Sequence, residues 1–299
     1  MDQMEIMAAV GRMQRFLLEH MEEPLTLDML AQAAGYSKYH ALRIFQKQTH
    51  MTPFAFLRAI RLTSAAQALQ NSPETQIIHI ALDKGFDSHD GFTRAFARQF
   101  GITPRQYSQE LPPVCWYIYH PIEHYFILRE GIQAMQTEEI SRTVTVSQVE
   151  RPARKLIYLR HHGSDYFAAC EEAGCEWEGF YNSIPEKFDT AAGGRLPDSL
   201  IQPGKGEEAF LVEVPLSYNK PVPAGYEVAE LPPCTYLYFN GQPFADGNDF
   251  SLAIGIVDEA IGSYPFARFG WKISHNAPYL GMGAEPETGA RIAVPVEKI

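Results

Sequence analysis

Ile6, Val10, Met13, Leu17 and Leu18 recur at helical spacing among polar positions, which predicts a helix over residues 4–20 that closes before Pro24. Thr26 then caps a second helix running through Asp28, Leu30 and Ala31. Apolar residues at 54, 57, 60, 62, 65, 66 and 69 predict a long third helix. On either side of it one pattern occurs twice. Leu30-Ala31-x2-Ala34-Gly35-Tyr36-Ser37 returns as Ile80-Ala81-x2-Lys84-Gly85-Phe86-Asp87-Ser88, Arg43-Ile44-Phe45 as Arg94-Ala95-Phe96, and Thr52-Pro53 as Thr103-Pro104. The offset is 50 residues up to the glycine and 51 after it. Each copy reads as a short helix, a glycine turn with φ > 0, a serine N-cap and a second helix, the layout of a helix-turn-helix. Ala31 and Ala81 are small where the two helices of a copy cross closely. Two such units at a fixed separation suit two successive major-groove faces, about 34 Å apart, so that one chain covers roughly 20 base pairs. The helix over 54–69 sets that spacing, and if it is too stiff the DNA bends to meet both motifs.

Within each copy the inward residues leave a defined outer face. Ser37 starts the first recognition helix with Ile44 and Phe45 inward, leaving Lys38, Tyr39, Leu42 and Arg43 for DNA. Ser88 starts the second and is counted with its DNA side; Phe92 and Phe96 face inward, leaving His89, Asp90, Thr93 and Arg94 outward. Residues at the start of a recognition helix reach base edges. Arg43 and Arg94 suit either bidentate pairing with guanine or a phosphate clamp. The Tyr39 ring suits a thymine methyl, while Asp90 either accepts from cytosine or tunes specificity by repelling phosphate. Lys47, Arg58, Arg61 and Arg98 suit phosphate contacts. A lone surface arginine is equally at home in solvent; the duplicated position is what singles out Arg43 and Arg94.

The net charge of −11 divides unevenly. Residues 1–110 hold 11 basic and 11 acidic side chains, and within 29–105 nine basic residues stand against four acidic ones. Residues 111–299 carry 14 against 25, so the positive field belongs to the duplicated segment and the acidic half is not a general nucleic-acid binder. An apolar fraction of 45% with 20% charged residues excludes wholesale disorder and leaves room for two cores in 299 residues. No apolar run nears the roughly 18 residues of a membrane span. The start of the chain lacks an uninterrupted apolar stretch and is unlike a signal peptide, so a cytoplasmic protein without a membrane partner is expected.

Pro112-Pro113 closes the first domain, expected at 1–112. An ordered connector follows over 113–142, rich in aromatics (Trp116, Tyr117, Tyr119, Tyr125, Phe126). From 143 to 299 a second duplication appears at an offset of 78–80: Tyr158-Leu159-x3-Gly163 with Tyr236-Leu237-x3-Gly241, Ser183-x-Pro185 with Ser263-x-Pro265, and Val214-Pro215 with Val294-Pro295. Each copy reads strand, helix, strand, strand, with helices over 167–184 and 250–264. The fold class expected is therefore multidomain: an all-α double helix-turn-helix, then an α+β domain of two tandem β-α-β-β repeats with a ligand cleft at their seam.

Residues 8–108 resemble the DNA-binding domain of the AraC/XylS family. Gly85-Phe86-Asp87-Ser88-x3-Phe92-x-Arg94-x-Phe96-x4-Gly101-x2-Pro104 carries that resemblance. His50 departs from the pattern, standing where the first copy usually has glycine; histidine tolerates the left-handed region better than most residues, so the turn is expected to persist. The second half resembles the GyrI-like effector-binding domain through its topology, its duplication and the closing Ile292-x-Val294-Pro295-Val296 strand. The two resemblances imply a transcription regulator, an activator by preference, that binds double-stranded promoter DNA, contacts RNA polymerase and answers to a small amphipathic or cationic effector.

Trp177 and Tyr181, one turn apart, and Trp271 and Tyr279 offer aromatic walls for that effector, and equally suit a core. The stretch Ala277-Pro278-Tyr279-Leu280-Gly281-Met282 lacks the acidic residue that members of that family often carry, leaving Glu176 or Glu213 as substitutes. Glu213 alternates away from Phe210 and Val212 and reads as facing solvent. His161-His162 point to opposite faces of a strand without a third ligand, so no metal is expected. Cys170 and Cys175 are expected on different faces of one helix, as reduced thiols. No nucleophile elbow, P-loop or cofactor motif occurs, so the chain does not read as an enzyme. The alternatives are a second domain that hydrolyses its ligand, with Glu176 or Glu213 as general base beside a tyrosine, or one that docks another protein.

Overall fold

In the computed structural model, which describes residues 3–72, 74–122, 141–163, 165–245 and 247–299 (the side chain of Asn248 apart), the chain divides into two compact units, Met1–Gln133 and Ala134–Ile299. The first unit holds α1 (Gln3–Glu19), α2 (Leu27–Ala34), α3 (Lys38–Thr49), α4 (Pro53–Asn71), α5 (Ile77–Asp83), α6 (His89–Phe100) and α7 (Pro104–Glu110). The apolar spacing of α4 explains its place. Phe56, Leu57 and Ile60 near its start join the core formed by α1–α3, with Met13, Leu17, Ile44 and Phe45. Leu62, Ala65, Ala66 and Leu69 further along join the core of α5–α7, with Phe92, Phe96 and Tyr107. One helix thus serves two cores, and its 19 residues rise about 28 Å.

The chain after α7 belongs to both cores. Val114 and Trp116 bury into the second, and Tyr117, Tyr119 and Ile122 pack against the first. Two backbone donors meet buried side chains on the way: Tyr117 N–H donates to Thr63 Oγ1 (2.9 Å) and Ile122 N–H to Gln14 Oε1 (3.1 Å). Residues 113–122, read from sequence as the start of a connector, are therefore a strap on the helical unit. Tyr125 and Phe126 lie outside the described residues.

The second unit is α+β. Its strands are β1 (Thr145–Arg151), β2 (Arg154–His161), β3 (Ala192–Arg195), β4 (Glu208–Pro215), β5 (Glu227–Leu231), β6 (Cys234–Asn240), β7 (Trp271–Ile273), β8 (Leu280–Glu285) and β9 (Gly289–Lys298). They form an antiparallel sheet in the order β1-β6-β9-β8-β3-β4-β2-β5, with β7 on β9. β1 pairs with β6 rather than with β2, which follows it in the chain; β5 pairs with β2. Alternation along the strands creates two faces. Ile157, Phe210, Val212, Leu237, Phe239, Ile292 and Val294 meet α8 (Tyr166–Ala173), α9 (Glu176–Asn182) and α10 (Phe250–Ser263). Leu156, Tyr158, Leu211, Tyr236, Tyr238 and Ala293 form a separate cluster on the opposite face.

The helix expected over 167–184 is two helices. Gly174, at φ 78°, donates its N–H to Cys170 O and turns the chain before α9 begins. That break changes the cysteine geometry: Cys170 and Cys175 are not on separate faces of one helix, and the hydrogen bond that the Cys170 thiol donates to Cys175, with burial, pushes that thiol up. No helix among the described residues is long and apolar enough to cross a membrane.

Candidate nucleic-acid interface

Each helix-turn-helix is built by its caps. Thr26 Oγ1 accepts from Met29 N–H (3.4 Å) at the start of α2, and Gly35 closes that helix at φ 74°. Ser88 Oγ accepts from Gly91 N–H (3.2 Å) and starts α6, whereas Ser37 begins α3 in extended conformation without a side-chain cap bond. His50 ends α3 at φ 57°, where Gly101 ends α6 at φ 72°, so the departure at His50 keeps the left-handed turn. Thr52 and Thr103 then cap α4 and α7, each ahead of a proline whose missing N–H costs nothing at a helix start.

Of the residues read as DNA-facing, Lys38, Tyr39, Arg43 and Lys47 are exposed on α3, and His89, Asp90, Arg94 and Arg98 on α6. Tyr39 is 86% exposed, a large aromatic surface left in water at the start of a recognition helix. Leu42 and Thr93 are half-buried, and Ser88 spends its hydroxyl on the cap. Lys38 Nζ is 2.6 Å from Asp28, and Arg43 Nη2 is 3.1 Å from His40 Nδ1; both pairs are exposed enough to exchange partners.

Arg61 is different. Its guanidinium donates to Met21 O (2.5 Å), Glu23 O (2.7 Å) and Gly85 O (2.9 Å). Burial lowers its pKa, against a smaller opposing effect of Asp87. With those donors engaged, Arg61 leaves the set of phosphate contacts: it ties the loop after α1 to the turn of the second motif. Gly85 is required there by its φ of 71°, and a Cβ would lie 2.8 Å from that guanidinium and push it aside.

A family model described as a helix-turn-helix domain matches residues 30–110. The regulatory protein SoxS of Escherichia coli K12 is 41% identical over 93 residues, which are 31% of this chain and 86% of SoxS. The chain belongs to the AraC family of DNA-binding transcription regulators. The right origin-binding protein of Escherichia coli K12 is 46% identical over 88 residues, 29% of this chain and 30% of that protein. Among solved structures, an AraC-type DNA-binding-domain regulator from Chromobacterium violaceum is 27% identical at a TM-score of 0.32, covering 34% of this chain and 94% of that one. All of these similarities cover about a third of this AraC-family chain.

In the other unit of this AraC-family protein, the residues read as ligand walls sit in the helix-side cores. Trp177 stacks on Phe210 (centroids 3.8 Å, 6°), and the Tyr181 hydroxyl donates to Phe210 O (3.0 Å). Both are buried. Trp271 is buried under Lys298, whose Nζ lies 3.5 Å from the ring centroid, and Tyr279 is half-buried, its phenol pushed up to about 12 by burial and by Asp258. The two pairs occupy separate clusters and form no common wall. Glu176 is exposed at the start of α9.

Glu213 corrects the expectation of a solvent-facing carboxylate. Its alternation does carry it away from Phe210 and Val212, but the face it reaches is itself covered. It is 4% exposed and accepts from Arg154 Nε (2.5 Å), Tyr236 OH (3.0 Å) and Arg151 Nε (3.4 Å). Asp189 extends this network to Arg151, Tyr238 and Arg291. Sequence reasoning missed Arg151, Arg154, Asp189, Tyr236 and Tyr238. The available signal was a pair of arginines flanking Pro152 beside a carboxylate among valines.

Proposed function

We propose that residues 1–112 bind double-stranded promoter DNA with α3 and α6 in successive major-groove faces, and that residues 143–299, a GyrI-like domain of two tandem repeats, sense a small effector. The supporting observation is that both recognition helices of a duplicated motif expose the same register of polar side chains, Lys38–Arg43 and His89–Arg94, over buried aromatic anchors. Arg43 and Arg94 read bases, Tyr39 meets a thymine methyl, and Lys47 and Arg98 hold phosphates. Effector binding changes the capacity to activate transcription through RNA polymerase.

Gel shift of promoter fragments by the full chain tests the DNA reading: complexes that weaken steeply with salt support it, and no complex at about 50 mM salt overturns it. Thermal-shift screening of a dye and drug library tests effector sensing, since a ligand of the native state raises Tm. The hydrolytic alternative finds no support in Glu213, whose carboxylate already accepts from two arginines and a tyrosine.

A further inference from the structure

Arg151 ends β1, which lies at one end of the sheet and is exposed along most of its length. Its guanidinium nevertheless turns inward, with 11% of the side chain exposed. Nη2 meets Asp189 Oδ2 (2.5 Å) and the Tyr238 hydroxyl (2.6 Å), Nε meets Glu213 Oε2 (3.4 Å), and the carbon at the centre of the group lies 5.1 Å from the Phe188 ring centroid and 5.7 Å from that of Tyr238. Two carboxylates, a phenylalanine ring and a tyrosine that offers both hydroxyl and ring thus surround one planar cation. They arrive from different parts of the chain: β4, β6 and the loop holding Phe188 and Asp189, which Phe188 N–H fastens to Glu213 O (2.9 Å).

The neighbouring arginines have other duties. Arg154 is wholly buried and bonds Glu213, Pro232 O, Cys234 and Tyr236, so it belongs to the sheet. Arg291 reaches Asp189 from β9 by the other carboxylate oxygen. Arg151, by contrast with both, is carried by an edge strand, and its donors reach side chains.

We propose that this cage is a recognition site for small guanidinium or amidinium compounds, occupied in this structure by Arg151 of the same chain, and that a free ligand of that class enters by exchange with it. The chemistry is complementary to a flat, delocalised cation with donors around its rim, flanked by aromatic side chains and met by carboxylates; a compact ammonium matches only the charge. A tethered competitor acts at an effective concentration in the mM range, so the intact cage admits a free ligand weakly. The inference rests on the effector reading in one respect only, that exchange at Arg151 is a sensing event.

The test is isothermal titration of the full chain with n-propylguanidine, using n-propylammonium as the control. R151A is expected to bind the guanidine at one site, about tenfold or more tighter than wild type, and to gain Tm on binding. R151A/D189N is expected to lose that gain. Equal affinity in wild type and folded R151A, or equal response to the ammonium, overturns the proposal. Should R151A not fold, R151M retains the apolar stem and takes its place. In the wild type, saturating n-propylguanidine is expected to speed amide hydrogen exchange along β1; unchanged protection overturns the exchange step. A library compound that stabilises wild type while the cage rejects guanidines would leave effector sensing intact and remove only this site.

Discussion

Arg61 and Arg94 look interchangeable as basic residues on helices of the DNA-binding unit, yet they do different work. Arg61 is spent on three carbonyls that join the two motifs, whereas Arg94 is exposed. Arg61→Ala is therefore expected to cost about 1.5–3 kcal/mol of stability, read by urea denaturation. Arg94→Ala is expected to leave stability unchanged and to weaken specific DNA binding by about 1–3 kcal/mol in gel shift. His162 supplies a pH-dependent case. Its hydrogen bond to Glu172 (2.8 Å) and the carboxylate charge raise its pKa, so the pair stabilises the fold below the ordinary histidine value and that contribution disappears as pH rises through the raised one. An NMR titration is expected to place His162 above the ordinary histidine value, and E172Q to bring it back down.

The serines that start the two recognition helices are not equivalent elements of the caps. Ser88 bonds Gly91 N–H and Ser37 makes no such bond, so Ser88→Ala is expected to lower stability by about 1 kcal/mol while Ser37→Ala costs a few tenths at most. The helix ends differ as well. His50 holds the left-handed conformation that Gly101 holds in the second copy, and His50→Gly is expected to raise stability by up to about 1 kcal/mol, measured by thermal denaturation. These positions were legible because caps and turns depend on residues within one turn of each other. The break at Gly174 is read through because the apolar pattern continues across it, although a glycine there is itself a local stop signal.

At the scale of the whole molecule, the charge partition sets how the regulator meets DNA. Basic excess lies within 29–105 and acidic excess beyond 111, so attraction to DNA is expected to act through the helical unit. Full-chain binding is expected to show a steep negative log–log salt slope, and Arg98→Gln to reduce its magnitude by about 1 if Arg98 holds a phosphate. The strap over 113–122 acts at this scale too, because Trp116 and Ile122 join different cores of the one helical unit.

The two copies of the helix-turn-helix, their caps, their buried aromatic anchors and the exposed register of Arg43 and Arg94 follow from the sequence by itself, because helical periodicity and capping are local. Strand alternation likewise told which side of β4 Glu213 leaves on, though not what waits there. Tertiary structure alone decided that this second face is covered, that Glu213 meets Arg154 and Arg151 from strands far along the chain, that Trp177 and Tyr181 pack as core, and that Arg61 bonds carbonyls instead of facing DNA. Each of these depends on which distant segments pack together, and local hydrophobic spacing carries no record of that choice.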